Sequence, residues 1–296
     1  MNPSAIGRID REETMQRVLV IGRESYIGRS FANFTQGGLS VEFAGARDNS
    51  WRDVNFAGFS AVLLAAGLAH RQAKARDKPI YLTVNRDLPL AAAEKAKQAK
   101  VGQFIFLSSL HAYGIRQGEI KAETPEVPTD VYGLSKLQAE RYLALLSDEG
   151  FRVAVIRPPL VYGPGCRGNF PKLAALARRL PVFPDWPNRR SMIYIDNLCC
   201  LLQLIVEKRA AGLFCPQNED YVNTTDLVSQ MALVLGRKVR LSRFLNPAVS
   251  LLMPLVPMVG KLFGDLYYER SLSLNNGLPP YNVVGFAESI RRSLVL

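Results

Sequence analysis

RVLVIGRESYIGRSF, residues 17–31, reads as a strand, a tight turn and the first turns of a helix. The apolar run 18–21 stops at Gly22 and Gly28 opens a helical pattern, while Ser25 stands where a middle glycine would be expected. In a dinucleotide-binding turn the first glycine permits the bend, the middle one lets backbone approach the pyrophosphate, and the last allows close helix–strand packing. Gly22 and Gly28 keep the outer roles. Ser25 replaces the middle glycine if its small hydroxyl faces the phosphate, which would meet the free amides of Tyr26 and Ile27 at the positive end of the helix. An ordinary strand-to-helix turn is the competing reading.

Working outward, short apolar runs at 18–21, 41–44, 61–66, 103–107 and 152–156 alternate with amphipathic stretches at 27–35, 79–100 and 132–149. That rhythm predicts an α/β fold, a Rossmann-type doubly wound parallel sheet covered by helices on both faces. The interval between Arg47 and Ala61 is short for a strand and crossover helix, so an abbreviated third unit is expected there. After Pro158 the pattern loosens, although 191–195 and 213–215 still read as strands. A boundary near residue 160 follows: a flexible tail over 1–16, a dinucleotide-binding domain over 17–160, and a smaller substrate-binding region over 161–296 whose segments near 191–215 return to the first domain.

The chain has 296 residues, 48% hydrophobic and 21% charged, a soluble globular composition with a net charge of +11. Lys and Arg are scattered rather than gathered in basic runs, which argues against a nucleic-acid arm and for small polyanions or an acidic membrane surface. Four cysteines, at 166, 199, 200 and 215, with two histidines match neither a zinc spacing nor a disulfide framework. No metal site is expected, and the reducing cytoplasm is the expected compartment. The first sixteen residues lack the apolar core of a signal peptide, and Met15 is an alternative start. The apolar stretch 248–260, broken by Pro254 and Pro257, is too short to span a bilayer. It reads as a packed cap, a homodimer contact or a surface-seeking patch.

The end of the second strand bears on the cofactor, because an acid there holds the ribose hydroxyls of NAD and a cation holds the 2′-phosphate of NADP. VEFAGARDNS, residues 41–50, offers Ala46 and Arg47 at that point, with Arg23 in the turn as a second cation. NADP(H) is therefore favoured over NAD(H), with a solvated loop charge as the other reading of Arg47. Asp53 is a candidate for the adenine edge.

Chemistry enters with FIFLSSLHAYG and VYGLSKLQAE. Tyr132 and Lys136 are four apart on an expected helix and so share one face. The Lys136 ammonium, helped by the cationic nicotinamide ring, would lower the phenol from its usual value of about 10 toward neutrality, letting Tyr132 exchange a proton with a substrate hydroxyl or carbonyl. Ser109, just after a buried strand, would hydrogen-bond the same oxygen. The order of the three elements (glycine turn, strand-end serine, Tyr/Lys helix) gives the pair its meaning.

With these residues in place, the chain from Arg17 onward resembles the extended short-chain dehydrogenase/reductases, the nucleotide-sugar epimerase/dehydratase family. LAAGLAH at 64–70, Asn85 on the next helix, RPPLVYGPG at 157–165 and NRRSMIYIDNL at 188–198 carry the resemblance further. It implies that Ala65, Ala66, Gly67 and Pro158 line the cofactor, that Arg190 contacts the diphosphate of a UDP-sugar, and that Asn169 in GNFPKL is a second ligand. Family members that dehydrate a sugar carry an acid pair after the serine. Here those positions are Leu110 and His111, so chemistry at a single carbon, C4, is expected. His111 reads as a loop residue and His70 as a packed one. The closing segment after residue 270 looks shorter than the family's, which would leave the substrate cap incomplete.

These readings converge on an NAD(P)-dependent oxidoreductase at C4 of a UDP-sugar in surface-polysaccharide assembly. A 4-keto-sugar reductase leads, with a UDP-hexose or UDP-N-acetylhexosamine 4-epimerase as the alternative. A non-catalytic nucleotide-binding protein is the reading from another class.

Overall fold

A computed structural model describes residues 15–68, 75–274 and 277–295. His70 lies outside the described residues. The strands are β1 (Arg17–Ile21), β2 (Ser40–Ala44), β3 (Ala61–Leu64), β4 (Gln103–Leu107), β5 (Gly118–Ile120), β6 (Arg152–Ile156), β7 (Leu160–Tyr162), β8 (Val182–Pro184), β9 (Met192–Tyr194), β10 (Gly212–Phe214), β11 (Arg240–Ser242) and β12 (Leu266–Tyr268). The helices are α1 (Tyr26–Phe34), α2 (Lys78–Leu82), α3 (Leu88–Gln98), α4 (Val131–Leu146), α5 (Asn169–Arg179), α6 (Ile195–Glu207), α7 (Thr224–Val234), α8 (Asn246–Leu252), α9 (Pro257–Phe263) and α10 (Phe286–Leu294).

Six parallel strands form the central sheet in the order β10-β6-β4-β3-β1-β2. β1, β3, β4 and β6 are almost continuously apolar and buried, as strands covered on both faces must be. Their alternate side chains feed two cores. One, with Val18, Val20, Leu63, Ile105 and Ile156, packs under α1 and α6; the other, with Leu19, Ile21, Leu64, Phe104 and Phe106, packs under α3 and α4.

The interval expected to hold an abbreviated unit contains a single 3-10 turn at Ser50–Arg52, anchored by buried Trp51. Among the described residues, β2 is therefore an outer strand of the sheet. Its Glu42 is bonded by Arg17 of β1 at 2.8 Å. Of the two later segments that read as strands, only β10 joins the central sheet; β9 pairs with β7, and Ile195 already opens α6.

The helix expected over 79–100 contains a five-residue π turn, Thr83–Asp87, between α2 and α3. Such turns widen a helix locally and direct side chains that a regular helix would turn elsewhere. Here the π turn carries fully buried Asn85. Its Oδ1 accepts from the Leu68 amide at 2.9 Å, and its Nδ2 donates to the Leu68 carbonyl and to Ser135 Oγ on α4. Asn85 thus fixes the loop after β3 against the helix that carries Tyr132.

Candidate active site

Strand order reverses between β1 and β3, and the loops leaving their carboxyl ends meet there. Ligands of open parallel sheets bind outside the strands at such a reversal. Gly22, at φ +123°, passes so close to the β3 loop that a Cβ would lie 2.7 Å from the Ala66 amide nitrogen. At Gly28 a Cβ would meet Val20 at 2.9 Å, so both outer glycines of the turn are required for packing. The Ala65 and Ala66 amides both donate to Ile21 O.

Ser25 Oγ caps α1, accepting from the Gly28 amide at 3.3 Å, which leaves its O–H as a donor. The first turn of α1 holds no acid, which leaves the Tyr26 and Ile27 amides at a positive helix end. The Tyr26 hydroxyl is buried with no partner among the described residues, and a Cβ added at Gly163 would lie 2.7 Å from it. At Gly67 a Cβ would lie 3.1 Å from Lys136 Nζ and 3.3 Å from Asn85 Oδ1, so the loop wall stays thin beside the lysine. A glycine cradle, a free helix end and an orphaned buried hydroxyl fit a dinucleotide.

At the end of β2, Arg47 and Asp53 are exposed. Asp48, next to Arg47, puts a carboxylate in the same loop. Its Oδ1 accepts from Ser50 N and Oγ at 3.2 and 2.9 Å. Those bonds, with Arg23 contributing last, hold the carboxyl below its usual range.

The chemical residues do converge. Asp130 caps α4 by accepting from the Gly133 amide at 2.7 Å, which sets Tyr132 on the first turn. Gly133 has no room for a Cβ, which would lie 2.3 Å from His111 O, so this helix end is seated on the loop after β4. Ser109, two residues past that strand, lies close enough to the Tyr132 phenol to pull its pKa down. Lys136 is buried, donating from Nζ to Leu107 O at 2.7 Å and lying 4.6 Å from the Phe106 ring centre. Pro158 O accepts from the Leu110 amide and closes the other side of the loop.

Among the protein's own groups, burial opposes the expected lowering of the phenol. The Tyr132 phenol is pushed up, first by burial and then by Asp130 and Tyr81, against a downward pull from Ser109. Lys136 is not among the groups that move it. Burial drives Lys136 itself down to about 7, opposed by Glu140. The four-residue spacing correctly places both on one face, but the ammonium is spent on a main-chain carbonyl. His111 is also more than a loop residue: its ring packs edge-on to Tyr132 at 5.4 Å and its Nδ1 lies 3.3 Å from Asp130 Oδ2.

Beneath this group, Arg157 is 2% exposed and ion-paired to Glu140 and Glu126, and Ser108 donates to Glu140. Burial works against the guanidinium charge, but Glu140 outweighs it and holds Arg157 well above its usual range. Arg157 joins the end of β6 to the middle of α4, one turn past Lys136.

Asn169, Arg190 and Lys261 line a second recess with Leu160, Phe170 and Thr224. Arg190 is clamped by backbone bonds to Val222 on both sides, and its Nη1 donates to Gly264 O at 2.8 Å. Burial lowers its pKa, with Asp265 opposing. A cation partly stripped of water gains from an anion placed in the recess. Asn169 heads α5 behind Gly168. Lys261 was not expected; it directly follows the apolar stretch 248–260 and gives no local signal.

Residues 9–235 match the model of the NAD dependent epimerase/dehydratase family, well over half of the sequence. The chain belongs to that family. It is 32% identical over 220 residues to UDP-glucose 4-epimerase of Vibrio cholerae, covering 69% of this chain and 64% of that protein, less than two thirds of its length. Over 275 residues it is 26% identical to N-acetyl-alpha-D-glucosaminyl-diphospho-ditrans,octacis-undecaprenol 4-epimerase of Escherichia coli O157:H7, covering 84% and 79%. Its fold resembles a solved UDP-glucose 4-epimerase with a TM-score of 0.74 at 18% identity, covering 94% and 96%. It also resembles UDP-glucuronic acid 4-epimerase from Bacillus cereus in complex with NAD, with a TM-score of 0.70 at 15% identity, covering 94% and 97%. The chain is thus a Rossmann-type member of an NAD-dependent family. Among its described residues no helix is long and apolar enough to cross a membrane.

Proposed function

We propose that this family member is a 4-epimerase acting on a UDP-linked hexose or N-acetylhexosamine. The observation that carries the reading is the convergence of Ser109 and Tyr132 at the carboxyl edge of the sheet, with Lys136 buried behind Gly67. The chemistry that a bound nicotinamide dinucleotide supplies is hydride transfer to or from a carbinol carbon. Gly22, Tyr26, Ile27, Gly28, Ala65, Ala66 and Gly67 would hold it. Tyr132 would exchange the proton of the C4 oxygen while Ser109 holds that oxygen by a hydrogen bond. Asn169, Arg190 and Lys261, all from the region after residue 160, would take the diphosphate. The two curated relatives support C4, because both names describe 4-epimerases of sugars joined to a diphosphate.

The 4-keto-sugar reductase is the second reading, favoured by Arg47 and Arg23 as ligands of an NADP 2′-phosphate. Asp48 in the same loop works against it by repelling that phosphate. The test is mass spectrometry of the nucleotide released from purified protein, followed by NMR of UDP-glucose and UDP-N-acetylglucosamine incubated with the protein alone. Interconversion of C4 epimers without added cofactor is expected. NADPH-dependent reduction of a 4-keto sugar without epimerisation selects the reductase. A bound dinucleotide with no turnover of any of these substrates overturns both readings in favour of a nucleotide-binding protein.

A further inference from the structure

Segment 240–258 is exposed to an unusual degree for an apolar sequence. Phe244 is 97% exposed, Leu251 69% and Leu255 70%, with Leu241, Leu252 and Met258 also open. α8 turns Val249 inward and α9 turns Gly260 and Phe263 inward, which leaves their other faces unpartnered among the described residues. Single exposed leucines need no explanation, but a contiguous set does.

The charge around this set narrows its partner. From Gly236 to Gly264 there are five cations, Arg237, Lys238, Arg240, Arg243 and Lys261, and no Asp or Glu. All five are exposed, and Arg243 is bonded to Asp185. Charges that look scattered along the whole sequence are thus concentrated here, supplying +5 of the net +11. A symmetric contact with a second copy would set this patch against itself, cation facing cation. Apolar tips ringed by Lys and Arg, with Asp185 against Arg243 as the acid beside them, instead match the boundary between anionic headgroups and acyl chains.

We infer that α8, α9 and the turn before them form a docking surface for an anionic lipid bilayer. The protein lies on the membrane by Phe244, Leu251 and Leu255, with Lys238 and Arg240 over the headgroups. Exposed Lys261 and half-buried Leu262 of the same helix also line the recess that holds Arg190. Docking therefore sets the proposed diphosphate site close to the membrane. The inference does not depend on which reaction the site performs.

The full chain is floated with vesicles of phosphatidylcholine alone and of phosphatidylcholine mixed with phosphatidylglycerol. Binding to the anionic vesicles is expected, weakening as salt is raised. F244S/L251S/L255S should abolish it, because these side chains are exposed and their loss leaves the core intact. K238Q/R240Q should weaken it on the order of tenfold or more at low salt. No flotation of the wild type, flotation of both variants like the wild type, or equal salt-independent binding to neutral vesicles would each overturn the inference. So would a wild-type dimer that the triple variant dissociates without any vesicle binding. Flotation needs no turnover, so its failure and the failure of the proposed reaction are separately visible.

Discussion

At the α4 end of the candidate site, Lys136 is buried against Phe106 and the Leu107 carbonyl, Tyr132 lies by Ser109, and the Arg157–Glu140 pair stands one turn along the helix from Lys136. At the α5–α9 end, Arg190 and Lys261 face a recess with few acids to oppose them. The first group has its hydrogen bonds largely satisfied within the protein and is rigid. The second keeps cationic capacity in reserve for a ligand. Preorganised groups are suited to act on a reacting atom, while unspent cations are suited to binding a remote anion. If the comparison is right, substitutions at the two ends will fail in different ways.

The largest effect is expected from Tyr132→Phe, which keeps the ring and removes the proton-exchanging hydroxyl. Turnover on a confirmed substrate should fall by about 10² to 10⁴ with dinucleotide binding retained. Near-normal turnover would remove Tyr132 from the chemistry. Glu140→Ala should follow, costing about 3 kcal/mol in urea unfolding. It strands a buried guanidinium, with Glu126 limiting the loss, and a cost near zero would show that the α4 end does not rest on this pair.

Arg190→Ala probes the other end. Calorimetry should show UDP binding roughly 10- to 150-fold weaker, the range for one charge-assisted hydrogen bond, with kcat changing less than KM. A fall in kcat at constant KM would erase the division between the ends.

The smallest effect is a slope. Below about pH 7 Lys136 is protonated in both folded and unfolded chains, and above its ordinary 10.5 in neither. Between these limits only the unfolded chain holds the proton, so stability should rise with pH by at most about 1.4 kcal/mol per unit. Comparing unfolding midpoints of wild type and Lys136→Met between about pH 7 and 9 isolates this slope. A difference between the two that stays constant with pH would show that the ammonium is not desolvated.

The same contrast explains how far the sequence could be read. Tyr132 and Lys136 declare themselves because a helix brings residues four apart onto one face, and Ser109 because it follows a buried strand. Periodicity reports face and not depth, so it could not show that burial would take the Lys136 charge away from the phenol. The turn 22–28 is local and legible, yet Ser25 was free to bond inward, and Gly28 offered the amide. Arg190 and Asn169 emerged only through resemblance, because the recess is built from segments far apart in the chain. Lys261 directly follows an apolar run and gives no local signal. The sheet was legible from its apolar strands. The π turn was not, because the pattern through Asn85 is compatible with an ordinary helix.

The 3-10 turn at Ser50–Arg52 has a consequence for solubility. With no strand formed there, one side of β2 presents a row of main-chain donors and acceptors, a template that any extended chain can match. Glu42 stands in the middle of that row, half-exposed, in an otherwise mostly apolar SVEFA. An identical strand laid alongside would have to accommodate a second carboxylate and its arginine, and a short, charged border of this kind is a poor seed for fibrous growth.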